Sequence, residues 1–286
     1  MKKENRLIYN LINLAVLLFS ALFFVYSYVL PGDLPGLLQS GSLGVVIVTV
    51  LLVHSVKAIR LYLALYGTDI RRSTCMKLYC KVTPVSVILP WKLGEFFRIY
   101  CCGAELKSLL KGVVIILLDR FFDTIALVTM MLFLWMLWGG ALPMLVYGFL
   151  IFLGLVVLIY LGFPGMHEVW KKYLLSSKAT VHKLQLLKLL DAASRIYNEI
   201  RGVLHGRGSL LYILSILAWG VEIGSLYLLR APGEDPGDTV SAYLSAAMGM
   251  GSSVEMQRFV VFTILLLICA YALIKLVETA MVKKER

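Results

Sequence analysis

Runs of apolar residues about as long as a bilayer is thick recur along the whole chain, at residues 7–30, 43–66, 112–138, 144–163, 209–229 and 259–277. About 20 apolar helical residues cross the hydrocarbon layer. A chain of 286 residues with 60% hydrophobic side chains and a mean hydropathy of +0.85 is not a soluble enzyme. It is expected to be an all-α, polytopic membrane bundle.

The connectors orient the runs. Residues 31–42 hold no Lys or Arg, whereas the connector 67–81 holds Arg71, Arg72, Lys77 and Lys81. The long segment 164–208 carries eight Lys or Arg against three Asp or Glu, and the acidic segment 231–238 has no basic residue. By the excess of positive charge in cytoplasmic loops, both termini fall inside, and the first apolar run is a retained span. The net charge of +11 therefore reflects basic loops, with no nucleic-acid-binding module.

Two apolar stretches are too short to span. Residues 82–91 are broken by Pro84 and Pro90, and residues 240–253 are rich in Ala, Ser, Gly and Met. Each is expected to enter the membrane and return as a re-entrant element, the first over 82–111. Six spans and two such elements fall into halves at about 1–138 and 139–286 with opposite orientation, the hydropathy pattern of an inverted repeat. The chain is read as one domain. Within 165–208, Leu184, Leu187, Ala193, Ile196, Ile200 and Val203 recur at helical spacing, an amphipathic helix at the inner surface or under the bundle.

Charges cluster around the first broken element. Gly94 precedes Glu95 and Arg98, which can share a helix face at i, i+3. Asp119, Arg120 and Asp123 follow inside an otherwise apolar run. Each unpaired charge at membrane depth could cost about 2.5–3.5 kcal/mol. Two readings stay open: arginine–carboxylate pairs that fix helix packing, or a polar cavity lined by Arg60, Arg98 and Arg120 for an anionic headgroup. In the second, a helix restarting near Gly94 adds amide donors, and the guanidinium fork suits a phosphate. Lys57 and Arg60 are also within reach of the basic side by snorkelling. Glu222 and Glu255 are further candidates. His54 has no ligand or base at useful spacing and reads as a satisfied membrane histidine.

No nucleophile–base, zinc-hydrolase, P-loop or dinucleotide motif occurs. The five cysteines lack metal or disulfide spacing and are expected to be free thiols. No catalytic residue, metal or cofactor is assigned.

At Leu89-Pro90-Trp91-Lys92-Leu93-Gly94-Glu95-Phe96-Phe97-Arg98, followed by Asp119-Arg120-Phe121-Phe122-Asp123, the chain resembles the transmembrane region of lysylphosphatidylglycerol synthases, the flippase domain of the multiple peptide resistance factors, and its stand-alone relatives. The resemblance implies lipid handling in a bacterial or archaeal cytoplasmic membrane. It makes Gly94, Glu95, Arg98, Asp119, Arg120 and Asp123 the core site. Gly251-Ser252-Ser253-Val254-Glu255 matches the family's second element loosely, and no soluble aminoacyl-transfer domain follows Val277. The expected function is therefore translocation of an anionic or aminoacylated phospholipid, or of a polyprenyl-phosphate-linked precursor, rather than its synthesis. A membrane subunit anchoring a separate synthase and a lipid-linked transferase are the alternatives, and a homodimer is compatible with all three.

Overall fold

The computed structural model describes residues 3–30, 36, 43–68, 70–89, 93–139, 144–176, 180–230, 233–248 and 253–284. Among these there are ten α-helices and no strand. They are α1 (Lys3–Phe24, extended by a π-helical turn Val25–Val29), α2 (Leu43–Ala64), α3 (Arg72–Ile88), α4 (Leu93–Glu105) and α5 (Leu109–Trp138) in the first half. The second half holds α6 (Met144–Ser176), α7 (Val181–Leu204), α8 (Gly208–Leu229), α9 (Pro236–Ala247) and α10 (Val254–Lys284).

Among the described residues, five segments are long and apolar enough to cross a membrane: Ile8–Val29, Leu43–Ala64, Met144–Ser176, Gly208–Leu229 and Val254–Ala280. The sixth expected span coincides with α5, a 30-residue helix with its charges in the first half. It packs against α2, α4, α6, α7 and α8. By contrast, the apolar windows of α1 and α6 are each only 11% buried. Rows of exposed Leu, Ile and Phe on such helices are tolerable against lipid and not against water. The chain is an all-α multi-pass membrane protein.

The pairing of helices has the exchange pattern of an inverted repeat. Helices α2 and α8 pack on each other; α5 packs on α8 as α10 packs on α2. The first short element, through α3, lies on α10. The second, through Val240, Tyr243 and Leu244 of α9, shares a buried cluster with Ala126, Leu127, Val128 and Met131 of α5. Each broken element thus leans on the last span of the other half.

Both elements differ from expectation in their bounds. The first begins at Arg72 rather than residue 82, so the expected basic connector 67–81 is mostly helix. Its cations are housed within that helix: Lys77 pairs with Glu278, and Lys81 Nζ donates to Asn13 Oδ1 at 2.7 Å. Pro84 sits inside α3, where its missing N–H removes one rung of the ladder. The second element begins at Pro236, behind the Asp235 cap whose Oδ2 accepts from Asp238 N. Its returning leg runs without a break into the last span, because α10 starts at Val254. Residues 90–92 and 249–252, which belong to the two short elements, lie outside the described residues. Helix α7 is amphipathic as read, with Val203 and Leu204 packed under the bundle beside Ala64 and Ile115, while Leu184 and Ile196 are exposed.

His54 ties three helices together, as its satisfied-histidine reading requires. Its Nδ1 lies 2.7 Å from the Tyr79 hydroxyl and its Nε2 2.9 Å from Thr263 Oγ1. The five cysteines are free thiols.

Two glycines close α4 onto its neighbours on either side. A Cβ on Gly94 would stand 2.2 Å from Ser86 Cα, so α3 and α4 touch backbone to backbone. A Cβ on Gly112 would stand 2.6 Å from Gly103 N, closing α4 on α5 in the same way. Gly94→Ala and Gly112→Ala must therefore push helices apart. Each is expected to lower stability by about 1–3 kcal/mol or more, read as a fall in melting temperature of the detergent-solubilised protein. Gly148→Ala and Gly154→Ala, inside α6 where a Cβ meets nothing within 4 Å, should not lower that temperature, since alanine is the better helix former.

Candidate functional site

The glycine-tight hairpin sets the N-terminal turns of α4 against the middle of α5, and α2 and α8 close the other sides. Six charged side chains meet there in a continuous network. Asp119 is its centre. Its Oδ1 accepts from Arg60 Nε at 2.9 Å and lies 2.8 Å from Arg60 Nη2, while its Oδ2 accepts from Arg98 Nη2 at 3.1 Å. Arg60 extends the chain through Nη1, which donates to Asp123 Oδ1 at 3.0 Å and to Ser215 Oγ at 2.7 Å. Ser215 Oγ in turn donates to Leu211 O, 2.8 Å away.

The outer edge of the network is looser. Glu95 bridges two arginines, with Oε1 2.8 Å from Arg120 Nη2 and Oε2 3.4 Å from Arg98 Nη1. Arg120 Nη1 and Asp123 Oδ2 are 3.7 Å apart. Arg60, Arg98 and Asp119 are buried, whereas the Arg120 side chain is 41% exposed and that of Glu95 18%. Three guanidinium groups face three carboxylates, so the network is neutral as a whole. The pairing reading describes its geometry: the arginines close on carboxylates rather than line an open cavity. Spare capacity remains, because Arg98 Nε and Arg120 Nε are buried without a hydrogen-bond acceptor.

Gly94 belongs to this site through packing alone. Arg60 does not snorkel; Asp119 and Asp123 turn it inward. Lys57 is also held inside, its Nζ 3.6 Å from Glu222 Oε2 and 5.5 Å from the centre of the Trp219 ring. Glu222 takes a hydrogen bond from the Tyr243 hydroxyl. Together with Glu255, Tyr243 and Arg258 it lines a small cavity between α2, α8, α9 and α10, separate from the six-residue network. Ser253 Oγ donates to Glu255 Oε2 at 2.6 Å.

Sequence reasoning passed over Ser215, Tyr243 and Arg258. Nothing in the local sequence distinguishes Ser215 or Tyr243. Arg258 did carry a signal: Glu255-x-x-Arg258 repeats Glu95-x-x-Arg98 in the first turns of the helix that follows each broken element. No ion pair of Arg258 is formed among the described residues, and its Nε is buried without an acceptor.

Removing one partner of a buried ion pair leaves an uncompensated charge, a loss of about 3–5 kcal/mol. Asp119→Asn, which strands Arg60 and Arg98 together, is expected to fall in that range. Arg120→Gln, at the exposed edge, should change stability by less than about 1 kcal/mol. Melting temperatures of the two variants in detergent check the contrast. Equal losses would show that the network is not anchored at Asp119.

No curated protein and no solved structure gives a significant match. The family model described as the lysylphosphatidylglycerol synthase TM region matches residues 10–274, nearly the whole chain, including both charged motifs. This chain belongs to the lysylphosphatidylglycerol synthase transmembrane-region family.

Proposed function

We propose that this protein translocates a phosphate-bearing lipid across the membrane, with the Glu95 edge of the network as the point where the headgroup docks. The termini and the basic segment around α7 then face the cytoplasm, as the distribution of Lys and Arg indicates.

One observation carries the reading. Glu95 occupies the space between Arg98 and Arg120, with its bond to Arg98 at the long end for a charge-assisted pair, and both arginines keep an unused Nε–H. A phosphodiester entering from the Arg120 side can take over both guanidinium groups. Its two free oxygens suit their forked donors better than the carboxylate does. Asp119 and Asp123 meanwhile hold Arg60 and Arg98 in place, so the site is already shaped when the lipid arrives. No bond need be made or broken. The protein has only to shield a charge that hydrocarbon would exclude.

A second reading, a membrane subunit that anchors a separate enzyme, is favoured by the large apolar side chains that α7 leaves exposed, Val181, Leu184, Leu186 and Leu189.

In liposomes holding the purified protein, dithionite access to fluorescent phospholipids measures lipid movement. Arg120→Gln, which leaves the buried core of the network intact, is expected to slow the movement of anionic lipid about tenfold, since a hydrogen bond to a charged group contributes about 1.5–3 kcal/mol. Movement equal in variant and parent would remove the Glu95 edge as the docking point. No movement of any phospholipid or polyprenyl phosphate by the parent would favour the anchoring subunit, which a pull-down lost on Leu184→Glu in α7 would identify.

A further inference from the structure

A second cavity, about 180 Å³ in volume, lies at the basic end of the bundle, away from the network. Its walls come from the C-terminal end of α2 and the turn after it (Ala64, Tyr66, Gly67, Thr68), from the first turns of α5 (Lys111, Val114, Ile115), and from the end of α7 (Glu199, Gly202, Val203) with Arg207. A single water needs about 10–15 Å³ by this measure, so a phosphate with several waters fits without moving the backbone.

The charges in the walls are unequally committed. Arg207 is half used: Nη1 donates to Tyr66 O at 2.6 Å, and the guanidinium covers the Tyr66 ring with its carbon 5.2 Å from the ring centre. That contact offsets the negative end of the α2 dipole, which would otherwise oppose an anion here. Nη2 lies along Gly67, 3.6 Å from where a Cβ would stand. Gly67 has φ +89°, a conformation that side-chain-bearing residues rarely adopt, and so keeps this wall open. The Lys111 side chain makes no hydrogen bond or ion pair among the described residues. It stands in the first turn of α5, where Ser108 caps the Lys111 amide, and the cavity runs along the face of that turn and the next, through Val114 and Ile115. Glu199 is the one carboxylate among the described lining residues.

We infer that this cavity binds a phosphate-bearing anion, with Lys111 and the free edge of Arg207 as its cations and Glu199 as an opposing charge that keeps binding weak and reversible. The same chemistry is offered by the headgroup of an anionic lipid and by a soluble phosphate. Under the function proposed above, such a site would gather headgroups at the basic face before they reach Glu95. The binding itself does not depend on that function.

The test uses the full-length protein in detergent with three probes: dihexanoyl phosphatidylglycerol, dihexanoyl phosphatidylcholine and inorganic phosphate. Thermophoresis measures binding to the parent, Lys111→Gln and Glu199→Gln. Phosphatidylglycerol binding is expected to weaken several-fold in Lys111→Gln and to tighten in Glu199→Gln, with little binding of the zwitterionic lipid in any form. Inorganic phosphate that competes and follows the same two shifts would assign the site to phosphate itself. Phosphate without effect would assign it to a lipid headgroup. The opposite signs guard against general damage: two unchanged affinities, or two that fall together, would overturn the site. Neither variant touches the network. Lipid movement retained with both affinities unchanged would remove this cavity alone, and movement absent with binding intact would remove the translocase reading alone.

Discussion

Asp119 holds two arginines in a region where neither could stand unpaired. A guanidinium without a partner in hydrocarbon is unfavourable by several kcal/mol, and Arg60 and Arg98 are each almost wholly buried. One carboxylate with four lone-pair sites serves both, one oxygen to each. That geometry demands that α2, α4 and α5 approach at a single depth. The bare backbones at Gly94 and Gly112 permit the approach, and the short hairpin of α3 and α4 sets the depth. The fold around this point is arranged to solvate three positive charges with protein.

The same reasoning explains which features could be read from sequence. Span positions are encoded by run length and the absence of charge, which is a local property, so every expected span has a helix at its place. The elements' bounds were less legible, because a basic residue near a helix end reads like a loop residue. Lys77 and Lys81 were placed in a connector on that account. Their partners, Glu278 and Asn13, lie about 200 and 70 residues away in sequence. The charged motifs named Glu95, Arg98, Asp119, Arg120 and Asp123 as a group, and the structure brings all five together with Arg60. What spacing could not reveal is closure. Whether an arginine faces a cavity or a carboxylate depends on the rotation of α2 and α8 about their axes, and strongly apolar helices carry little periodic signal to set it.

The two halves use the same parts differently. Both broken elements return through Glu-x-x-Arg at the start of a helix. In the first, a turn at Lys107 and Ser108 separates that helix from the span, so Glu95 and Arg98 can lie across α5 and meet Asp119. In the second, the returning leg and the span are one continuous helix of 31 residues. Glu255 and Arg258 therefore remain on the axis of α10, beside Glu222 and Tyr243. Their cavity, about 10 Å³, has room for a single water. The inserted turn is thus the feature that converts one copy of the motif into a closed, six-membered network.

Charge balance then constrains which ligand the first copy can accept under the proposed function. Three arginines oppose three carboxylates while Glu95 is in place. If Glu95 swings out, one net positive charge remains between Arg98 and Arg120, and a phosphodiester restores neutrality with its single negative charge. A neutral glycolipid offers nothing in exchange. An aminoacylated headgroup satisfies one further condition: with its phosphate on the arginines, its ammonium can follow the displaced Glu95, so neither charge crosses the apolar layer alone. The buried half of the network, Asp119 with Arg60 and Arg98, need not change partners at all. Exchange is confined to the exposed edge, where the lost interactions are the long Glu95–Arg98 contact and one partly solvated ion pair, each worth far less than the pairs beneath them.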